Sequence, residues 1–184
     1  MDIETCPVSA PPDNPELIAA WADQALDPTR GRIACIGICG EGIDRVFMHE
    51  DERVLLEEFW AFIDSHAVPP TIVTYNGEFF DLPFLRLRSI VNRLKPHWLS
   101  YVTNGANGKD LMRILFPWQT TRRSKDAVCA ALGIEQHKGN GLTGADMPML
   151  WHEGQHDKIV EHCRDDVRRE WQLYKRIREA GLIS

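Results

Sequence analysis

The 184-residue sequence predicts an α/β sandwich: a central mixed β-sheet flanked by α-helices, with a shortened first strand. Three observations carry that reading. β-rich runs stand early in the chain ("GRIACIGICG", "DRVFMHE", "TIVTYNG"). Apolar residues recur at three and four between and after them. The chain closes on one long helical pattern.

Taken in order, "DIET" at the N-terminus is a short strand, and "CPVSAPPDNP" is a loop broken by four prolines. "PELIAAWADQAL" has helical spacing, with Pro15 suited to the first turn. "GRIACIGICG" and "DRVFMHE", separated by "EGI", predict a hairpin. "DERVLLEEFWAFIDSH" is an amphipathic helix with Asp51 as its cap. "TIVTYNG" is a strand ending in a turn, and "FFDLPFLRLRSIVNRL" resumes helical spacing. "SYVTNGANG" is expected to be a flexible loop. "SKDAVCAALG" makes a helix between the cap Ser124 and the stop Gly133. "DKIVEHCRDDVRREWQLYKRIREAG" is the strongest helix of all. With no repeat or low-complexity tract, one domain over residues 1–184 is expected.

Apolar content of 43% and charged content of 26% are those of a soluble globular protein. The chain has neither a membrane-length apolar run nor an N-terminus resembling a signal peptide. Cys6, Cys35, Cys39, Cys129 and Cys163 are odd in number and lack CxxC spacing, which fits reduced thiols in a cytoplasm. Net charge of −6 disfavours a protein that coats long duplex DNA. It leaves room for an enzyme that grips a few nucleotides at a metal centre, its acids being the ligands.

Candidate ligands fall in three places. In a strand, the two-residue spacing of Asp2 and Glu4 sets both on one face, costly unless exposed or bound to cations. Carboxylate oxygens are what Mg²⁺ and Mn²⁺ prefer. Asp81 lies among Phe79, Phe80, Leu82, Phe84 and Leu85, where an unpaired acid is expensive; helix cap and metal ligand are equally good explanations. On a helix, His162 and Asp166 share a face that Ile159 and Leu173 mark as inward, whereas Asp165 points away.

"DIET", "YNGEFFDLPFL" and "HCRDDV", in that order, resemble the three motifs of the DEDD superfamily of 3′–5′ exonucleases, which have the ribonuclease H-like fold. Within it they are similar to the group related to proofreading domains of family-B DNA polymerases. The resemblance runs from Asp2 to Tyr174. It implies that Asp2, Glu4, Asp81 and Asp166 hold two divalent ions, Mg²⁺ or Mn²⁺, with Asp2 bridging them. One ion would generate hydroxide and the other stabilise the leaving 3′ oxygen, releasing nucleoside 5′-monophosphates from 3′ ends. Thr5, Asn76 and Phe80 stand where family members position the terminal nucleotide, and a ring such as Phe80 stacks on any base. The implied partner is single-stranded DNA, with RNA as the second choice.

Two departures from the family pattern matter. Family members carry a tyrosine four residues before the last acid or a histidine five before it; here His162 stands four before Asp166. Imidazole chemistry suits a base acting on water at neutral pH, and that role is expected of His162. Relatives also have several apolar residues before the first acid, where this chain has only Met1. Either the strand has lost its leading half, leaving a positive α-amine near the metals, or the start is incomplete.

Two rival readings compete with this one. "HEGQH" at 152–156 matches the zinc-peptidase string, but that chemistry needs both histidines on one continuous helix and a third ligand. Gly154 makes the segment a helix end, a turn and a new start. A catalytically inactive nucleic-acid-binding or protein-interaction module on the same fold is the other rival, disfavoured by four retained acids. Arg122 and Arg123, in a turn before a helix, are the candidates for phosphate contacts. Most other basic residues of the clusters "TTRRSK" and "RLRSIVNRLK", Lys125 included, are read as solvated helix faces. Asp110 is expected to be structural.

Overall fold

The computed structural model describes residues 1–103, 108–117, 123–135 and 141–183. Strands β1 (Asp2–Pro7), β2 (Gly31–Gly40) and β3 (Ile43–Met48) form an antiparallel sheet in the order β1-β2-β3. Strands β4 (Ile72–Thr74) and β5 (Gly108–Asp110) pair in parallel. The Met1 nitrogen donates to Val73 O at 2.6 Å, bringing the end of β1 against β4. A mixed α/β arrangement results, in keeping with the ribonuclease H-like expectation.

Alternation along β2 divides the core. Ile36 and Ile38, beside Ile3 of β1, face helices α2 (Glu52–Asp64) and α3 (Asp81–Val91), where Leu55, Leu56, Phe59 and Phe84 are fully buried. Cys35 turns to the opposite side and packs with Met147, Ile159 and Cys163 of α7 (Met147–His152) and α8 (His156–Glu179). Period-two patterning thus places one helical layer on each face of the sheet.

Several local expectations are met. Asp51 accepts from Arg53 N at 2.8 Å and caps α2. Ser124 caps α6 (Lys125–Ala131), which ends before Gly133. The expected helix over 15–26 is divided into a short α1 (Ile18–Ala22) between two 3₁₀ turns. Between α7 and α8, Gly154 takes φ +70°, so the two histidines of "HEGQH" sit on separate helices.

One segment requires correction. "SYVTNGANG", expected to be loop, contributes helix α4 (Leu99–Thr103) and, past residues 104–107, the start of β5. Val102 anchors α4 in the α2–α3 core, an override of local propensity by tertiary burial. After β5 comes the short α5 (Leu111–Leu115), capped by Asp110.

Candidate active site

Helix α8 approaches the sheet where β2 has a glycine. A Cβ built on Gly37 would stand 2.8 Å from both Cys163 Sγ and Val167 Cγ1, closer than packed atoms tolerate. Because Gly37 pairs with Asp2, and Cys35 with Glu4, the helix comes down on the face of β1 that carries both acids.

His162, Asp166 and Glu170 lie in line along α8, one turn apart. His162 Nε2 is 3.6 Å from Glu4 Oε1, and the ligand atoms of Glu4, His162 and Asp166 all lie within 4.8 Å of one another. Asp2 joins them through Lys125, whose Nζ is 3.2 Å from Asp2 Oδ2, 2.8 Å from Asp166 Oδ2 and 3.3 Å from Glu170 Oε1. Asp166 also binds the Arg169 guanidinium. Asp81 enters from the other side: its Oδ1 accepts from Ile3 N at 3.1 Å. Asp81 therefore does not cap its own helix. It ties the start of α3 to the backbone between the two acids of β1.

The electrostatics are those of acids gathered out of water. Burial, reinforced by the charge on Asp2, pushes the Glu4 and Asp81 carboxyls well above the usual carboxylate range. Burial also raises Glu170, to about 7, despite Lys125 and the Met1 amine, the latter 3.3 Å from Glu170 Oε2. For Asp166 burial is outweighed: Lys125, Arg169 and His162 hold it at about 2. Lys125 is raised in turn; its burial would lower it, but Asp2, Glu170 and Asp166 prevail. The burial that makes Glu4, Asp81 and Glu170 resist ionising is offset when a divalent cation supplies positive charge beside them.

The remaining expected residues differ in how they are placed. Asn76 takes φ +65° and its backbone N–H is held by Asp110 Oδ1 at 2.9 Å; its own Oδ1 is buried and without a partner among the described residues. Asp110 also accepts from Glu78, Met112 and Arg113 backbones, the structural role expected of it. Phe80 packs on Phe84 with ring centroids 5.0 Å apart, whereas its neighbour Phe79 is 60% exposed beneath Arg113. Thr5 is buried and spends its hydroxyl on Ala25 O at 2.7 Å. Arg123 is exposed; its carbonyl accepts from the Tyr75 hydroxyl. Arg122 falls outside the described residues.

Sequence reasoning missed three members of this centre. Lys125, grouped with solvated basic residues, instead has a side chain only 14% exposed among three acids. Nothing in its local spacing announces that; α6 docks there through long-range packing. Arg169 was missed likewise. Glu170 was legible, since it extends the line of His162 and Asp166 by one more turn.

An α/β fold thus gathers acids from β1, α3 and α8 into one buried centre. Residues 41–181 match the family model described as a predicted 3′–5′ exonuclease related to the exonuclease domain of PolB, and the chain belongs to that family. The matched span holds Asp81 and Asp166 but leaves out β1. The chain is also 32% identical over 177 residues to an uncharacterized protein of Methanocaldococcus jannaschii, covering 86% of this chain and 93% of that one. A DNA polymerase of Archaeoglobus fulgidus is 24% identical over 168 residues, 82% of this chain but 21% of the polymerase. The catalytic polypeptide of DNA polymerase epsilon from Eremothecium gossypii is 47% identical over 55 residues, 29% of this chain and 2% of that polypeptide. Among the described residues, no helix is long and apolar enough to cross a membrane.

Proposed function

We propose that residues 1–184 act as one metal-dependent 3′–5′ exonuclease domain that removes nucleoside 5′-monophosphates from nucleic-acid 3′ ends. The observation that carries this reading is the convergence of Glu4, His162 and Asp166, with Asp2 and Asp81 adjoining, from parts of the chain far apart in sequence. Asp2, Glu4, Asp81, His162 and Asp166 form the reacting centre, and the four carboxylates would hold two divalent ions, Mg²⁺ or Mn²⁺. Such ions, when bound, lower the pKa of water and offset charge on the scissile phosphate.

The protein's own residues do the positioning. Asp81, fixed to Ile3 N, keeps the motif-two turn against β1. Asp110 holds Asn76 in its left-handed conformation, which fixes the turn that precedes Asp81, and Asn76 is assigned to positioning the terminal nucleotide. Phe80, next in sequence to Asp81 and packed on Phe84, is assigned to stacking on the last base. Thr5 borders the centre at the bulge between Glu4 and Thr5. Arg122 and Arg123 are retained as phosphate contacts.

DNA is the preferred substrate in this reading, because several relatives are named DNA polymerases. The cytoplasm is the proposed location, supported by the five free cysteines. The test is digestion of 5′-labelled DNA and RNA oligomers, single- and double-stranded, with Mg²⁺ or Mn²⁺. A ladder shortening from the 3′ end, absent in Asp166→Asn, is expected. Binding without cleavage would identify an inactive module and overturn the proposal.

A further inference from the structure

Among the described residues, the acids of the centre are not neutralised alike. Lys125 serves Asp2 and Asp166, and Arg169 serves Asp166 again. Glu4, buried to 6% exposure, meets no lysine or arginine within ion-pair distance among the described residues; the basic group nearest its carboxylate is the His162 imidazole, at 3.6 Å. The group with least cationic compensation is therefore a carboxylate of β1 that faces, one helical turn apart, a ring nitrogen and a carboxylate of α8.

The dimensions suit an ion. Ligands about 2.0–2.2 Å from one metal stand roughly 3–3.6 Å from each other. The Glu4–His162 separation of 3.6 Å lies at that limit, whereas the Asp166 oxygen, within 4.8 Å of both, has to close in when an ion binds. Side-chain exposures of 8% for Glu4, 16% for His162 and 13% for Asp166 leave the ring edge open to an entering ion. The donor set matters too. Mg²⁺ is a hard ion held by oxygen, whereas a first-row transition ion accepts an imidazole nitrogen more readily, and Mn²⁺, the most oxygen-tolerant of that row, accepts both kinds of donor.

We propose that His162 is a metal ligand: Nε2, with one oxygen each from Glu4 and Asp166, forms a mixed nitrogen–oxygen site that selects Mn²⁺ over Mg²⁺. This rests on reading the same carboxylates as a metal centre. It assigns the His162 nitrogen to the ion instead of to a proton, as a consequence of the histidine standing four residues before Asp166. A ring placed there shares the carboxylate's helix face and turns toward the same ion.

The experiment is Mn²⁺ binding to the full chain, followed by pulsed electron paramagnetic resonance for coupling to ¹⁴N. The wild type is expected to show imidazole nitrogen coupling. His162→Gln should lose it and bind Mn²⁺ at least tenfold more weakly, with Mg²⁺ affinity changed less than twofold. Should the variant fail to fold, the wild-type spectrum decides alone. Bound Mn²⁺ without nitrogen coupling, its affinity still dependent on Glu4, would overturn the ligand assignment and leave the exonuclease reading standing. No binding of either ion would overturn both.

Discussion

Lys125 Nζ stands 2.8 Å from Asp166 Oδ2 and bridges it to Asp2 and Glu170, so one ammonium group ties α6, α8 and β1 together. Removing one partner of a buried charge group leaves the others uncompensated, at a cost of about 3–5 kcal/mol. Lys125→Met is therefore expected to lower the urea midpoint sharply in EDTA. Adding Mn²⁺ should recover part of that loss, because a divalent ion can replace the missing charge. An unchanged midpoint would show that the ammonium group contributes nothing net.

Asp81 separates a structural from an electrostatic role. Its Oδ1 accepts from Ile3 N, which an asparagine oxygen can also do. Burial and Asp2 make its negative charge unfavourable in the absence of metal. Asp81→Asn should leave metal-free thermal stability unchanged or raised, yet reduce nuclease turnover at least as much as the roughly 10–100-fold that loss of a residue supporting a metal ligand costs. Coincident loss of stability and activity would mean the acid is chiefly structural.

Glu170 sets a pH dependence whose sign is definite. Its folded-state pKa, about 7, exceeds the ordinary value of 4.5, so the folded protein holds the proton more tightly. The stabilisation is complete below about 4.5 and is lost as pH rises through 7, amounting to roughly 3 kcal/mol across the window. Glu4 and Asp81 shift in the same direction. Metal-free unfolding followed at pH 5, 6 and 7 should show falling stability, flattened in Glu170→Gln. A rising trend would contradict the burial of these acids.

Gly37, the register partner of Asp2, offers a test that changes no charged group. A methyl group there meets Cys163 and Val167, and overpacking of this kind costs about 1–3 kcal/mol. Gly37→Ala is expected to be destabilised by that amount and to bind Mn²⁺ more weakly, since α8 must retreat from β1. Normal affinity in a folded variant would show that the helix position is not what sets the site.

The sequence by itself determined most strands and helices, through the β-rich runs of β2 and β3 and the three-and-four spacing of α2 and α8, but not α4 or β5. It also determined which acids to watch, because their motifs are local strings. Only the tertiary structure decided what those acids touch. Asp81 is equally a cap or a ligand until Ile3 N stands against it, and Lys125 is an exposed cation until α6 docks onto α8. The physical reason is the same in both cases. Local spacing fixes which face a side chain occupies, whereas its neutralising partner stands 78 residues away for Asp81 and Ile3, and 123 for Lys125 and Asp2. Those pairings exist only once burial has brought distant elements together.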